Sequence, residues 1–163
     1  WEPPDSQHST TSLVFNLRIC GLHNGLNSGL RTMTSKDEAN QKVFDLIQGM
    51  YFDNIDSGHA DKAVRAMHQD VQWVHTQVWE HHGHSSETMD MLHGRDKLRV
   101  FLVQRIPQMQ IEKITHQVGK VITDGISAAF QAQVIGPKGD SKPFFGWIEL
   151  KDGLIASYRV MPI

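Results

Sequence analysis

Cysteine is nearly missing from this chain: Cys20 is the only one, so no internal disulfide bond can form. Disulfide bonds are typical of oxidising compartments, and their exclusion favours a reducing one. We therefore expect a cytoplasmic protein. We interpret Cys20 as incidental, because a reactive thiol needs surroundings that lower its pKa.

Long apolar runs and an excess of one charge are also missing. No run approaches the ~20 apolar residues that span a bilayer, and the formal net charge is −2 with scattered basic residues. These absences give no reason to expect a membrane or a nucleic acid as a partner. The residues that are present, 39% hydrophobic and 21% charged over 163 positions, are typical of one globular domain.

The beginning of the chain differs from the rest. Residues 1–32 are rich in Ser, Thr, Gly, Asn and Pro and show no periodicity. We predict an irregular leader or extension over residues 1–32 and a folded domain over residues 33–163, with translation naturally starting at Met33. The alternative is an arm that packs on a partner subunit through alternating apolar residues, namely Leu13, Phe15, Leu17 and Ile19.

Hydrophobic spacing predicts a long helix at the start of the folded domain. Ser35 and Glu38 have the spacing of a capping box, in which each side chain covers a free backbone N–H group. The helix ends before Gly58, and its apolar stripe consists of Val43, Phe44, Ile47, Met50, Tyr51 and Ile55.

The next elements are shorter. We predict a second helix over residues 60–68, a strand over residues 71–75 and a long polar loop over residues 76–93. A third helix follows over residues 95–106, where Pro107 stops it.

The last third of the chain reads as a meander of antiparallel strands. Asp-Gly turns separate alternating apolar runs, which is a strong hairpin signal. The four strands cover residues 111–121, 126–135, 143–150 and 154–162. Helices followed by strands indicate an α+β fold. A curved, mostly antiparallel sheet around the long helix would form a cone-shaped barrel whose mouth suits a small molecule.

Asp56 and His116 are the leading candidates for chemistry. His116 shares strand parity with Ile114 and Val118, which places it on the inner face. On an ideal helix Asp56 lies about 140° from Tyr51, outside the apolar stripe, so an inward Asp56 requires the last turn to unwind. Asn54 lies on the stripe and is a rival polar group. The alternatives are a solvated acid and a core histidine bonded to a backbone carbonyl.

Other polar and aromatic residues of the predicted inner face are candidates for the same cavity. Tyr51 is either a core aromatic or a hydroxyl that polarises a substrate carbonyl. His75 is a second acid–base group or a residue of the rim. Arg159 either clamps a substrate carboxylate or forms a salt bridge at a strand edge. We expect the substrate to contact Trp73, Phe130, Trp147 and Arg159.

Four histidines raise the question of a metal. They fall in the loop over residues 76–93 and are His81, His82, His84 and His93. Zinc sites need converging ligands on a rigid element, and no third ligand follows at a suitable interval. We therefore expect no metal and no other cofactor, and we interpret the loop as a lid over the cavity mouth.

Three stretches of sequence carry a resemblance to a known family. They are MYFDNIDSG at residues 50–58, DVQWV at residues 70–74 and GRDKL at residues 94–98. In this order, and followed by the meander, residues 35–163 resemble the SnoaL-like branch of the cone-shaped α+β barrels. That superfamily includes ketosteroid isomerase, scytalone dehydratase, limonene epoxide hydrolase, polyketide cyclases and nuclear transport factor two.

The resemblance implies roles for single residues. Tyr51 matches the oxyanion-hole tyrosine of ketosteroid isomerase, but His75 and Gly146 replace its two aspartates. Asp56 and His116 match a catalytic aspartate and histidine of scytalone dehydratase, and His75 replaces its catalytic tyrosine.

Some catalytic residues of these enzymes have no counterpart in this sequence. The second histidine of scytalone dehydratase corresponds to Phe130, and the acid of the epoxide hydrolase would lie near Val160. Bile-acid dehydratases match at Tyr51, Asp56 and His116, with Arg159 in place of a late arginine.

We predict a cofactor-free lyase or isomerase with dehydratase-like acid–base chemistry on a small apolar substrate. His116 would remove a proton next to a carbonyl, Asp56 would orient it, and Tyr51 or His75 would assist. The alternatives are a non-catalytic small-molecule binding protein and a protein-interaction module with an apolar outer sheet face and a filled cavity. The resemblance also implies a homodimer.

Overall fold

A long helix opens the part of the chain that the computed structural model describes, which is residues 34–80 and 83–163. It consists of α1 (Ser35–Phe44), a π-helical segment (Asp45–Phe52) and α2 (Asp53–Asp56). The capping box lies one residue earlier than predicted, between Thr34 and Asp37. Thr34 is the last residue with extended backbone, so its hydroxyl reaches the free N–H of Asp37. The predicted leader lies outside the described residues.

The two later helices differ from their predicted bounds. The second is α3 (Ala60–Ala63) with a 3₁₀ turn (Val64–Ala66), and it gives way to a strand at Met67. The third, α4 (Arg95–Ile111), contains Pro107 and continues past it. A proline removes one N–H donor from a helix, and the packing of α4 tolerates this loss.

Six strands form one sheet in the order β2-β1-β6-β5-β4-β3. Strands β1 and β6 are parallel, and all other neighbours are antiparallel. The strands are β1 (Met67–Thr76), β2 (Met89–His93), β3 (Thr115–Thr123), β4 (Ser127–Ile135), β5 (Ser141–Lys151) and β6 (Leu154–Pro162). The predicted loop over residues 76–93 therefore contains a strand, because β2 adds to the free edge of β1.

The core lies between the helices and the inner face of the sheet. Ile47, Leu98, Ile148 and Ile155 are each 0% exposed there. Register shifts in β3, β5–β6 and β1–β6 bend the strands, as bulges do. The result is the predicted α+β cone. Within the described residues, no helix is both long and apolar enough to cross a membrane.

Candidate active site

Asp56 and His116 meet where α2 packs against β3. Asp56 Oδ1 lies 2.6 Å from His116 Nδ1, and Asp56 Oδ2 accepts a 2.7 Å hydrogen bond from the His116 backbone N–H. The two side chains are 14% and 11% exposed. One carboxylate thus fixes both the ring and the backbone of His116. With Nδ1 donating to Asp56, the ring nitrogen Nε2 is left as a proton acceptor.

The π-helical segment explains how Asp56 comes to face inward. Tyr51 and Phe52 are adjacent, yet both are buried, at 2% and 3% exposure. A π-helical turn holds an extra residue, which shifts the helix face and turns Phe52 inward beside Tyr51. Asp56 lies four residues after Phe52, one α-helical turn further, and so points to the same side. The last turn stays helical, so the expected unwinding is wrong. The rival Asn54 donates instead to a carbonyl of its own helix, that of Met50, at 2.8 Å.

Two further contacts hold His116 in place. The ring of Phe52 stacks on the imidazole with centroids 4.6 Å apart and planes 8° from parallel. Gln48 donates to the His116 carbonyl at 3.2 Å and accepts from the Val118 N–H at 2.7 Å. Sequence reasoning missed Gln48, because nothing in the helical period distinguishes it from a surface glutamine.

His116 lines a cavity of about 50 Å³ enclosed by the helices and the sheet. Ligand sites usually measure about 300 to 1,000 Å³, so the cavity as it stands holds water or a very small molecule. Its wall also includes Tyr51, Phe52, Trp73, His75, Trp79 and Arg105.

His75 lines the same cavity, but its hydrogen bonding and its pKa differ from the ordinary case. Its ring stacks on Trp73 with centroids 5.0 Å apart. Its Nδ1 atom is buried and has no hydrogen-bond partner among the described residues. Burial, and then the nearby charges of His116, Arg105 and His84, lower the pKa of His75 to about 3. His75 is therefore a neutral imidazole at pH 7.

Tyr51 carries a hydroxyl that stays protonated. Trp73 Nε1 donates to Tyr51 Oη at 3.0 Å. Burial raises the pKa of Tyr51 well above its usual value of 10, although the Trp73 bond opposes this. A neutral phenol can donate its proton in a hydrogen bond to a substrate oxygen.

Three of the four predicted substrate contacts do not line the cavity, which corrects the expectation. Phe130 is buried at 1%, but its ring occupies the space where Gly146 has no side chain, and a Cβ there would lie 2.0 Å from it. Trp147 is 46% exposed and pairs with the exposed Arg159 on the outer face of the sheet. In β6 the inward position belongs to Tyr158, so strand parity sends Arg159 outward.

Arg105 is the charged cavity residue that sequence reasoning missed. It lies on the inner face of α4 and is 6% exposed. Its guanidinium donates to Gln77 Oε1 at 2.8 Å and to Gln108 Oε1 at 2.9 Å. Burial lowers the pKa of Arg105, and the Asp90 carboxylate opposes this. The available signal was its helical spacing with the buried Leu102.

The histidine-rich segment is only partly described. His81 and His82 lie outside the described residues, and His93 ends β2 at the sheet edge. Among the residues that the structure describes, no three His, Cys, Asp or Glu side chains converge as metal ligands do. Trp79 packs its ring onto Gly136, where a Cβ would lie 2.3 Å away, and Lys142 Nζ lies 5.6 Å from that ring. The lid function of this segment stays a prediction.

Comparison with known proteins places the chain in a family. A family model described as SnoaL-like domain matches residues 49–158. No curated protein matches at a significant level.

Solved structures agree on the fold. A putative ketosteroid isomerase from Kribbella flavida has a TM-score of 0.55 at 18% identity, covering 76% of this chain and 79% of that one. A putative polyketide cyclase from Sinorhizobium meliloti has a TM-score of 0.51 at 19% identity, covering 72% and 94%. An LEH-like epoxide hydrolase from M. tuberculosis has a TM-score of 0.52 at 16% identity, covering 80% and 86%. At these identities the likeness establishes the fold.

Proposed function

The chain belongs to the SnoaL-like domain family, and from that premise we propose that it is a cofactor-free lyase or isomerase for a small, mainly apolar carbonyl compound. The observation that carries this proposal is the contact of Asp56 with His116 at the wall of the cavity, with 2.6 Å between Oδ1 and Nδ1. A partly buried carboxylate and an imidazole in contact are suited to moving a proton.

The first step is removal of a proton from the carbon next to the substrate carbonyl. His116 Nε2 takes this proton, and the electron pair moves onto the carbonyl oxygen as an enolate. Asp56 stabilises the imidazolium that forms. The stacked Phe52 keeps the ring in one plane, so the accepting nitrogen is oriented before the substrate arrives.

The second requirement is a donor for the enolate oxygen. Tyr51 lines the cavity with a protonated hydroxyl, and His75 adds a neutral imidazole. Donors already in place where negative charge develops lower the barrier. In an isomerase the imidazolium returns its proton to another carbon. In a lyase it protonates a leaving hydroxyl, which departs as water.

The fold neighbours are consistent with this chemistry. A putative ketosteroid isomerase and a putative polyketide cyclase share the fold. Because one fold serves several chemistries, they support the reaction class and leave the substrate open.

The test is deuterium exchange into candidate carbonyl compounds. Compounds released from the purified protein are identified by mass spectrometry and incubated with it in D₂O, and the loss of the α-proton is followed by NMR. We expect His116→Gln to slow exchange by about 10² to 10⁴, the usual contribution of a general base. His93→Gln, at an exposed position of β2, is the matched control. Exchange that survives in His116→Gln would refute the proposal.

A protein-interaction module is a second candidate, and two observations favour it. The cavity is only about 50 Å³. In addition, the outer face of the sheet exposes large apolar side chains, because Phe145, Trp147 and Met161 are 50%, 46% and 54% exposed. We propose a second copy of this chain as the occupant of that face.

A further inference from the structure

We infer that the indole of Trp79 is a movable wall of the cavity. In this structure the ring closes the space beside His116, and a larger apolar ligand enters when the ring leaves its place against Gly136. Such a wall controls access to the cavity, whatever reaction takes place inside it. It also accounts for the small volume, because a cavity of about 50 Å³ lies well below the about 300 to 1,000 Å³ that ligand sites usually have.

Trp79 differs in position from the other residues that line the cavity. Most of these lie on helices or strands, where packing of the whole element holds them in place. Among the described lining residues, those that lie between the elements are Gln77, Val78, Trp79 and Ile114. Of these four, only Trp79 is not buried. Trp79 therefore contacts both the cavity and the solvent, and a rotation of its ring breaks no hydrogen bond of the sheet.

The ring lies against a glycine that the backbone does not require. The φ angle of Gly136 is outside the left-handed region, so other residues could adopt the same backbone conformation. A side chain is excluded for another reason, because a Cβ at this position would lie 2.3 and 2.6 Å from two carbons of the Trp79 ring. Gly136 thus leaves a notch between β4 and β5, and the indole fills it.

The backbone and the ring of Trp79 are held in different ways. Gln77 Nε2 donates to the Trp79 carbonyl, and Gln77 Oε1 accepts from Arg105 at 2.8 Å, so the backbone is tied to α4. The ring has the notch on one side and Lys142 Nζ at 5.6 Å from its centroid. A cation–π contact at an exposed site is weak. The ring can therefore rotate away while the backbone stays in place.

Binding of benzene to the full chain tests the movable wall. Apolar cavities of about 150 Å³ bind benzene, so the closed cavity is too small for this probe. We expect weak binding by the wild type, with a shift of the Trp79 indole N–H resonance in NMR titrations. Because only the open form binds, a variant that populates this form should lower the apparent Kd in proportion.

Two variants open the wall from opposite sides. Gly136→Ala places a methyl group where the ring lies, and its other close neighbour would be the side-chain oxygen Asp140 Oδ1 at 3.0 Å. Trp79→Ala removes the ring itself. We expect each variant to bind benzene at least about tenfold more tightly than the wild type does. Gly49→Ala is the matched control and should bind as the wild type does, since a Cβ there meets no atom within 4 Å.

The double variant separates a movable wall from a general loosening of the domain. Trp79→Ala has no ring to displace, so the addition of Gly136→Ala should change the affinity no further. Equal affinities of Gly136→Ala, Trp79→Ala and Gly49→Ala would overturn the inference. A further gain of about tenfold in the double variant would overturn it as well.

A surface variant keeps the test decisive if those variants fail to fold. Lys142→Gln removes the cation–π contact and should tighten benzene binding by about two- to fivefold. An unchanged affinity in Lys142→Gln would then refute the movable wall. Benzene has no carbonyl group, so each of these results is independent of the proposed reaction, which α-proton exchange tests separately.

Discussion

Two imidazoles line one cavity, and their surroundings give them different properties. His116 has the Asp56 carboxylate on Nδ1, so a positive charge on its ring would be balanced. His75 lies on Trp73, and the positive charge of Arg105 acts on its ring; its buried Nδ1 has no hydrogen-bond partner in the part of the chain that the structure describes. At the scale of single residues, one histidine is therefore suited to accept a proton and the other to stay neutral and donate a hydrogen bond.

The low pKa of His75 predicts a pH dependence of stability. In the unfolded chain the ring takes up a proton at its usual pKa of 6.5, but in the folded chain only near 3. Between these values the unfolded state binds more protons, so the stability contribution is complete above pH 6.5 and is lost as the pH falls. The slope reaches at most about 1.4 kcal/mol per pH unit. The charges acting on the ring are those of His116, Arg105 and His84.

Urea unfolding at pH 7, 5.5 and 4.5 measures this contribution. The free energy of unfolding of His75→Asn should fall less steeply with acid than that of the wild type. His93→Asn, at an exposed position, should follow the wild type. Parallel curves for wild type and His75→Asn would show that the ring is not held neutral.

At the scale of elements, the N-terminal helix and β3 form one unit through a change in helical period. The π-helical segment Asp45–Phe52 turns both Tyr51 and Phe52 inward, and Asp56, one turn later, contacts Nδ1 of the His116 ring. Gln48 of the same segment bonds the backbone of β3 on both sides of Gln117. The helix is thus bonded to the strand that carries His116. The distance between Asp56 and His116 therefore depends on how the helix packs against β3.

Replacement of Gln48 tests this link. Gln48→Leu keeps the size of the side chain but leaves the Val118 N–H and the His116 carbonyl without their partner. We expect a loss of about 1 to 3 kcal/mol in the free energy of unfolding, with a shift of the Val118 amide resonance. Gln41→Leu is the matched control, since Gln41 is an exposed glutamine of α1 that bonds Asp45 within its own helix. Similar small losses in both variants would mean that Gln48 contributes nothing beyond a surface residue.

At the scale of the whole domain, the sheet has one face covered by helices and one face open. Apolar side chains on the open face are neighbours. Phe145 pairs with Met161 across β5 and β6, and Trp147 is the next residue of β5 on the same face, two positions after Phe145. Exposed apolar patches of this kind mark association surfaces. A two-fold interface between identical faces would bury them on both copies.

Sedimentation of the full chain tests this association. We expect a dimer for the wild type and a monomer for Trp147→Glu, because two carboxylates would meet in an apolar interface. Val100→Glu is the control, since Val100 is also exposed, at 54%, but lies on α4. A monomeric wild type, or a dimer of Trp147→Glu, would contradict the proposal.

The sequence predicted the order of elements better than their ends. The Asp-Gly turns and alternating runs gave strands β3 to β6, because such signals are local. The sequence does not indicate strand β2, because this strand forms by pairing with β1, whose residues lie 13 or more positions earlier in the chain. Pro107 predicts the end of a helix, because helix propensity takes no account of the packing that holds α4 together past this residue.

The sequence predicted some residues of the site and not others. Strand parity predicts the inward His116, whereas Arg159 and Trp147, which we expected to contact the substrate, lie on the outer face of the sheet. Arg105 was overlooked because a buried arginine is rare, although its spacing on α4 put it among buried residues.

The sequence by itself determined the fold class, the family and the residue types available for chemistry, since periodicity and turn residues act over a few positions. Only the tertiary structure decided that Asp56 reaches His116 across 60 residues of chain, that Arg105 rather than Arg159 enters the cavity, and that the cavity is small. These features depend on how the helix period changes and how elements pack. Contacts between distant segments are fixed by packing and not by local pattern.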